Sequence, residues 1–133
     1  MKYFLDTNII IYAIKGLYPE IERNFARVPH QSIAIPAAVL AEIEYGARKS
    51  KDYEKTILPY RRFTQVFDTV DFDARCADAY GRIRSELEKQ GSVIGSNDLI
   101  IAATVMANDG VLVTHNVREF ERVSGLALCD WTL

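Results

Sequence analysis

The chain has 133 residues and a net charge of −2 at neutral pH, with 49% hydrophobic and 26% charged residues. These values predict one soluble domain over residues 1–133. They exclude a protein that binds nucleic acid through a large overall positive charge, but they allow a local basic patch. No apolar run approaches the roughly 18 residues of a membrane span, so we expect no membrane segment. Cys76 and Cys129 lack the spacing of a zinc site, which favours a reducing, cytoplasmic location.

Short apolar runs alternate with helical patterns along the whole chain. We predict strands over residues 2–5, 32–35, 65–70, 111–113 and 126–129. We predict helices over residues 9–15, 19–27, 36–49, 51–64, 96–109 and 117–123, and a long helix that either Asp71 or Asp73 caps and that ends at Gln90. This alternation is typical of an α/β domain with three layers, in which helices flank a mainly parallel central sheet.

Caps and breakers set the expected helix boundaries. Ser96 is the expected N-cap of a helix that ends at Gly110 and is too apolar on all sides to be amphipathic, so it should be buried. Pro36 should lie in the first turn of its helix, which is a favoured position for proline. Pro59 should kink or break the helix that contains it.

Two aspartates stand at positions that allow either a helix cap or a ligand site. Asp6 follows the first strand directly, and in open α/β sheets ligands bind at the carboxyl ends of the strands. Asp98 lies in the first turn of the apolar helix, where the helix dipole favours a carboxylate. Either residue alone is interpreted more simply as a capping acid, and only other acids brought to the same place would make it a site residue.

Glu42 and Glu44 lie on opposite borders of the apolar stripe of one helix. Helical periodicity alone does not choose between them, because each acid borders the core. Gly46, one turn after Glu42, would leave that side open to a ligand. Glu44 is then expected to be a solvated acid near Arg48 at the i+4 position.

If the fold gathers Asp6, Glu42 and Asp98, the three carboxylates need a counter-charge. At about 4 Å and an effective dielectric constant near 20, each pair repels by about 4 kcal/mol. Such a cluster takes up protons or binds a cation, and oxygen ligands without His or Cys favour Mg²⁺ or Mn²⁺. A cation of this kind activates water and offsets charge on a phosphoryl group, which predicts phosphodiester hydrolysis. His30 and His115 show no nucleophile partner and are expected to be loop residues.

The most basic region lies between residues 48 and 62. It is either a solvated face or a surface that contacts phosphates, and the sequence does not separate these interpretations. Its cations are Arg48, Lys49, Lys51, Lys55, Arg61 and Arg62.

Four motifs resemble the PIN-domain ribonucleases, and in particular the VapC toxins of bacterial toxin–antitoxin pairs. They are FLDTN at 4–8, AEIEYG at 41–46, IGSNDLIIAA at 94–103 and VLVTHNVREFERV at 111–123. The resemblance covers essentially the whole chain, in order and with the spacing of the family. It implies a metal-dependent endoribonuclease that acts on structured RNA such as tRNA or rRNA, with Mg²⁺ or Mn²⁺ as cofactor.

The resemblance also implies a set of site residues. Asp6, Glu42 and Asp98 match the acidic metal site, and Glu42 is favoured over Glu44 because the family acid precedes the glycine by four residues. Glu119 is the nearest acid for a fourth ligand, because Asn116 stands where many relatives have aspartate. The polar neighbours expected beside the carboxylates are Thr7, Asn8, Thr114 and Asn116. Many relatives also have a serine or threonine after the second strand, where this chain has Ile35-Pro36-Ala37.

The partners implied by the resemblance are a homodimer and a VapB-like antitoxin whose tail covers the acidic pocket. Operator DNA would be bound only through the antitoxin complex. Two alternatives remain at this stage. One is a catalytically silent PIN-like binding module whose acids are only caps, and the other is a metal-dependent phosphohydrolase that acts on DNA or small molecules.

Overall fold

The computed structural model describes residues 1–133 and contains a five-stranded parallel sheet flanked by seven helices. The strands are β1 (Tyr3–Leu5), β2 (Ile33–Pro36), β3 (Asp68–Val70), β4 (Val111–Val113) and β5 (Ala127–Cys129). The helices are α1 (Thr7–Lys15), α2 (Pro19–Arg27), α3 (Ala37–Arg48), α4 (Tyr53–Thr64), α5 (Ala74–Gln90), α6 (Ser96–Ala107) and α7 (Val117–Phe120). The α/β class and the parallel sheet predicted from the sequence are therefore confirmed.

The order of the strands places the carboxyl end of β1 at the centre of the sheet edge. The order is β3-β2-β1-β4-β5, and β1 pairs in parallel with β2 on one side and with β4 on the other. The direction of winding therefore reverses at β1, which is the point where open α/β sheets form a ligand crevice. Asp6 follows β1 and Thr114 follows β4, so both lie at this reversal point.

The buried core follows from the apolar runs in the sequence. All residues of β2 and β4 are buried, as are Phe4 and Leu5 of β1, because helices cover the sheet. In α6 the buried side chains point in all directions around the helix axis, as the sequence predicts. The 27 core residues form one hydrophobic cluster. No helix is both long and apolar enough to cross a lipid bilayer, and neither cysteine is in a disulfide.

Of the kink or break expected at Pro59, the break does not occur. Helix α4 runs from Tyr53 to Thr64 with Pro59 inside it, and Asp52 caps it by accepting the Lys55 N–H at 3.2 Å. Proline removes one backbone hydrogen bond from the helix. The buried Ile57 and the partly buried Tyr60 hold the helix against the core on either side of that residue.

Two boundaries of α6 also differ from the expected ones. Gly95 is the N-cap instead of Ser96, and it makes no side-chain capping bond because it has no side chain. The helix ends at Ala107, before Gly110. The reason for glycine at position 110 is packing: a Cβ atom there would lie 2.3 Å from Cε2 of the buried Phe4.

Smaller differences shift the remaining boundaries by a few residues. Pro36 is the last residue of β2 and the N-cap of α3, so the helix begins at Ala37. Helix α7 is only four residues long and ends at Phe120 instead of Val123.

Candidate active site

Asp6 is held at the centre of the sheet edge by two hydrogen bonds. It is 6% exposed, and it accepts the Thr7 N–H at Oδ1 (2.8 Å) and the Thr114 hydroxyl at Oδ2 (2.7 Å). Burial raises the pKa of Asp6, the two hydrogen bonds oppose this shift, and the charges of Glu42 and Glu119 add to it. Asp6 is therefore both the N-cap of α1 and a buried carboxylate that other acids approach.

Glu42 and Glu44 point to different partners, as expected from their positions on α3. Glu42 accepts the Thr7 hydroxyl at 2.7 Å, which ties α3 to the first turn of α1 beside Asp6. Glu44 accepts the Tyr53 hydroxyl at 2.6 Å and forms an ion pair with Arg61 at 3.5 Å. The expected pairing of Glu44 with Arg48 is wrong, because the Arg48 guanidinium stacks 3.7 Å from the centre of the Tyr53 ring.

Glu119 of α7 is brought to the start of α6 by a backbone donor. Its Oε1 accepts the Gly95 N–H at 3.0 Å, and its Oε2 accepts the Asn116 side-chain N–H at 2.7 Å. These hydrogen bonds, the Gly95 one first, keep the pKa of Glu119 below its usual range. A Cβ atom at position 95 would be 3.5 Å from Asp98 Oδ2 and 3.9 Å from Glu119 Oε1, so both acids border the same glycine.

Among the four acids, Asp98 has the largest shift in pKa. Burial raises its pKa to about 7, and the hydrogen bond and charge of Glu119 and the charges of Asp6 and Glu42 contribute to the same shift. The pKa of Asp98 is thus raised while that of Glu119 is lowered, and each group contributes to the shift of the other. Asp6, Glu42, Asp98 and Glu119, from four separate segments, thus act on one another electrostatically.

Three of the four polar neighbours named from the sequence contact these acids. Thr7 donates to Glu42, Thr114 donates to Asp6, and Asn116 donates to Glu119. The fourth, Asn8, is exposed in the first turn of α1 and makes none of these hydrogen bonds. Sequence reasoning missed the Gly95 N–H, because a backbone donor to an acid 24 residues away leaves no mark in the residue pattern.

His115 has a partner that sequence reasoning also missed. Its Nδ1 lies 3.0 Å from Asp130 Oδ2 and 3.1 Å from the Thr132 hydroxyl, and its ring packs against Tyr12 and Tyr18. His30 stacks edge-on against Phe67. Neither histidine hydrogen-bonds any of the four acids, so the donors available to a cation at this site are oxygen atoms.

The carboxylate oxygen atoms of the site are suitable ligands for a hard divalent cation, but they are not already arranged around a metal position. The structure contains no group of three or more His, Cys, Asp or Glu side chains arranged to hold a metal ion. The carboxylates instead accept hydrogen bonds from Thr7, Thr114, Asn116 and Gly95. Carboxylate oxygens without nitrogen or sulfur ligands match Mg²⁺ or Mn²⁺, and their mutual repulsion would be relieved by such a charge.

The cations of the basic region form two groups, those that pack against tyrosine rings and those that are exposed without a partner. Arg48 and Arg61 are held around Tyr53, and Lys49 lies 5.2 Å from the centre of the Tyr45 ring. Lys51 and Lys55 are exposed at the start of α4 and form no ion pair.

Comparison with known proteins identifies close relatives over nearly the full length. The PIN domain profile matches residues 3–126. The chain is 41% identical over 133 residues to Ribonuclease VapC2 of Rickettsia felis, covering 98% of both chains. It is 37% identical over 132 residues to the tRNA(fMet)-specific endonuclease VapC of Shigella flexneri, covering 99% of both.

Solved structures show the same relationship. The chain superposes with a TM-score of 0.92 on a chain of the Rickettsia felis VapBC2 complex, which is bound to a fragment of promoter DNA. The two chains are 40% identical, and the match covers 98% of this chain and 99% of the other. It also superposes with a TM-score of 0.92 on a chain of the DNA-bound VapBC complex from Salmonella typhimurium, at 34% identity and covering 98% of both.

Proposed function

This chain belongs to the PIN-domain family, and we propose that it is the VapC-type toxin of a toxin–antitoxin pair, a metal-dependent endoribonuclease that cleaves structured RNA. The observation that carries this proposal is the gathering of Asp6, Glu42, Asp98 and Glu119 from four segments at the sheet edge, each affecting the ionisation of others. The relatives named ribonuclease and tRNA(fMet)-specific endonuclease support the same chemistry. We take residues 1–133 to be a single domain, since the core forms one cluster.

The four acids would hold Mg²⁺ or Mn²⁺, with Asp6, Glu42 and Asp98 as the principal ligands and Glu119 as the fourth. When bound, the cation supplies charge to the scissile phosphate and makes a water molecule acidic enough to act as the nucleophile. The chain's own residues orient the ligands: Thr114 fixes Asp6 and Thr7 fixes Glu42.

The raised pKa of Asp98, about 7, bears on this arrangement because a carboxyl group binds a cation in its ionised form. Asp98 would therefore release its proton when the cation binds. The hydrogen bonds from Gly95 and Asn116 lower the pKa of Glu119 and favour its ionised form, in which it would be ready to hold the cation.

Cleavage assays test the proposal directly. The purified protein is incubated with a transcript of the initiator tRNA and with bulk tRNA and rRNA, in Mg²⁺ or in EDTA, and the new RNA ends are mapped. We expect defined internal cuts in Mg²⁺, none in EDTA, and none with Asp98→Asn. Failure to cut any RNA with Mg²⁺ or Mn²⁺ would overturn the proposal, and cleavage of DNA alone would establish the phosphohydrolase alternative.

The proposed partners are a VapB-like antitoxin, operator DNA bound through that complex, and a second copy of this chain. The similar chains occur in VapBC complexes, two of them bound to DNA. A cationic side chain of the antitoxin would relieve the repulsion among the carboxylates much as a metal does. Co-expression with the antitoxin should abolish cleavage and give a complex that binds operator DNA. Sedimentation of the free protein should give the mass of a dimer. We place this activity in the cytoplasm, where its RNA substrates are found.

The silent binding module is kept as a second candidate because of two observations. No three acids are arranged to hold a metal, and Asp6 also serves as an N-cap. Titration with Mg²⁺ separates the two functions, since a module whose acids are only caps neither binds the ion nor cleaves RNA.

A further inference from the structure

A narrow groove leads away from the acidic site between α1, α3 and α4. It has a volume of about 180 Å³, and Glu42 and Thr7, which are hydrogen-bonded to each other, line it together with Lys15. Thr7, Ile11 and Lys15 are spaced four residues apart and therefore follow one face of α1. Lys15 lies eight residues beyond Thr7, which corresponds to about 12 Å along the helix axis.

The groove offers hydrogen-bond donors that the protein itself does not use. Lys15, Thr56 and Tyr60 line it together with apolar side chains, and the ammonium and hydroxyl groups of these three residues form no hydrogen bond or ion pair within the chain. Lys15 and Glu42 share the groove but form no ion pair. An ammonium group and two hydroxyl groups are complementary to phosphate and ribose oxygen atoms, because the ligand then supplies the acceptors.

Gly46 of α3 keeps the groove open. A Cβ atom at this position would meet no atom within 4 Å, and its φ is not in the left-handed region, so neither packing nor backbone geometry requires glycine here.

We propose that this groove holds the sugar–phosphate backbone of the RNA on one side of the cleavage point. Lys15 is then a phosphate-binding residue, and the missing side chain of Gly46 leaves space for the strand. This inference rests on the function proposed above and adds to it the path of the substrate. The strand would run from the carboxylates, past Thr7, toward Lys15.

The test measures binding without cleavage. Fluorescein-labelled bulk tRNA is titrated with protein in EDTA, and fluorescence anisotropy gives the affinity over a range of salt concentrations. Lys15→Gln should weaken binding about tenfold, because it removes a charge-assisted hydrogen bond, and should reduce the salt slope by about 0.7 to 0.9. The matched control is Lys89→Gln: Lys89 is likewise in the last turn of its helix, shortly before a left-handed glycine, but lies on α5.

Glycine substitutions test the shape of the groove. Gly46→Leu should weaken tRNA binding at least tenfold while the melting temperature stays equal or rises, because leucine is a better helix former than glycine. Gly81→Leu is the control, since a Cβ atom at Gly81 of α5 also meets nothing within 4 Å. It should have the same effect on stability and none on binding.

Equal tRNA affinities for Lys15→Gln, Gly46→Leu and their controls would overturn the groove proposal. The proposal also fails if these variants lose only the binding of a partner protein, because the occupant is then a peptide. Since no metal is present in the assay, reduced tRNA binding supports the groove even if the wild-type protein proves not to cleave RNA, so the two proposals fail independently.

Discussion

The hydroxyl of Thr114 donates a 2.7 Å hydrogen bond to Asp6, 108 residues earlier in the chain. This bond joins the carboxyl ends of β4 and β1, the two strands between which the winding of the sheet reverses. Thr114 is fully buried and also accepts the Asn116 N–H at 3.0 Å. One threonine therefore connects Asp6 to the segment that carries Asn116 and Glu119.

Thr114→Val should damage both stability and activity. The valine keeps the shape but leaves a buried carboxylate oxygen and a backbone N–H unpaired, which we expect to cost about 1–3 kcal/mol in the free energy of unfolding. Loss of the donor also raises the pKa of Asp6 further, so the acidic limb of the cleavage rate should move to higher pH. Urea unfolding and a pH–rate profile measure the two effects.

Thr104→Val is the control for that experiment. Thr104 is equally buried, but its hydroxyl bonds to the Ile100 carbonyl of its own helix, which has a backbone partner as well. An equal loss of stability and an unshifted pH profile in both variants would show that Thr114 does not position Asp6.

The raised pKa of Asp98 gives a definite sign to the pH dependence of stability. The folded protein binds this proton more tightly than the unfolded chain, whose aspartate titrates near 3.8. The contribution of Asp98 to the free energy of unfolding should therefore be fully present below about pH 4 and be lost as the pH rises through about 7. Because Asp98 is only half-buried, we expect a fall of about 1–2 kcal/mol from this residue.

Asp98→Asn should remove that fall. In EDTA, urea unfolding near pH 4 should give similar stabilities for both proteins, and near pH 8 the variant should be the more stable. A wild-type protein that gains stability relative to Asp98→Asn as the pH rises would contradict the raised pKa of Asp98.

Local rules singled out Asp6 and Asp98 as candidates, because each stands where a strand ends or a helix begins, but for either residue alone they favoured a capping acid. Periodicity placed Glu42 and Glu44 on different sides of α3, and the structure confirms that they face different partners. What the sequence could not show are the contacts between distant segments. Gly95 to Glu119 is one such contact, and His115 to Asp130 is another.

Tertiary packing also overrode two local signals. Pro59 is expected to kink or break its helix, yet the helix continues through it because buried neighbours hold it. Gly110 was expected to end a helix, but it is glycine because the ring of Phe4 occupies the space of a side chain. Both outcomes depend on residues that pack from elsewhere in the fold.

The exposed cations Lys49, Lys51 and Lys55 give a third prediction. If they bind phosphates, their reversal to glutamate should weaken tRNA binding at least tenfold and flatten its salt dependence by about 0.7 to 0.9 for each phosphate no longer neutralised. The same reversal at Arg82, Arg84 and Lys89 of α5 changes the net charge equally and is the control. Identical salt slopes for the two triple variants would leave residues 48–62 as a solvated face.

Glu42 and Glu44 provide the most direct test of which acids form the site. Glu42→Gln should abolish cleavage and weaken the binding of Mg²⁺, because it removes one ligand charge while Thr7 can still donate to the amide oxygen. Glu44→Gln should do neither. It should cost less than about 1 kcal/mol of stability, because the Arg61 pair is exposed and the Tyr53 hydroxyl keeps an acceptor. Single-turnover cleavage and isothermal titration with Mg²⁺ measure the two properties. If Glu44→Gln were the inactive variant, the site would have to be redrawn around the Tyr53–Arg61 side of α3.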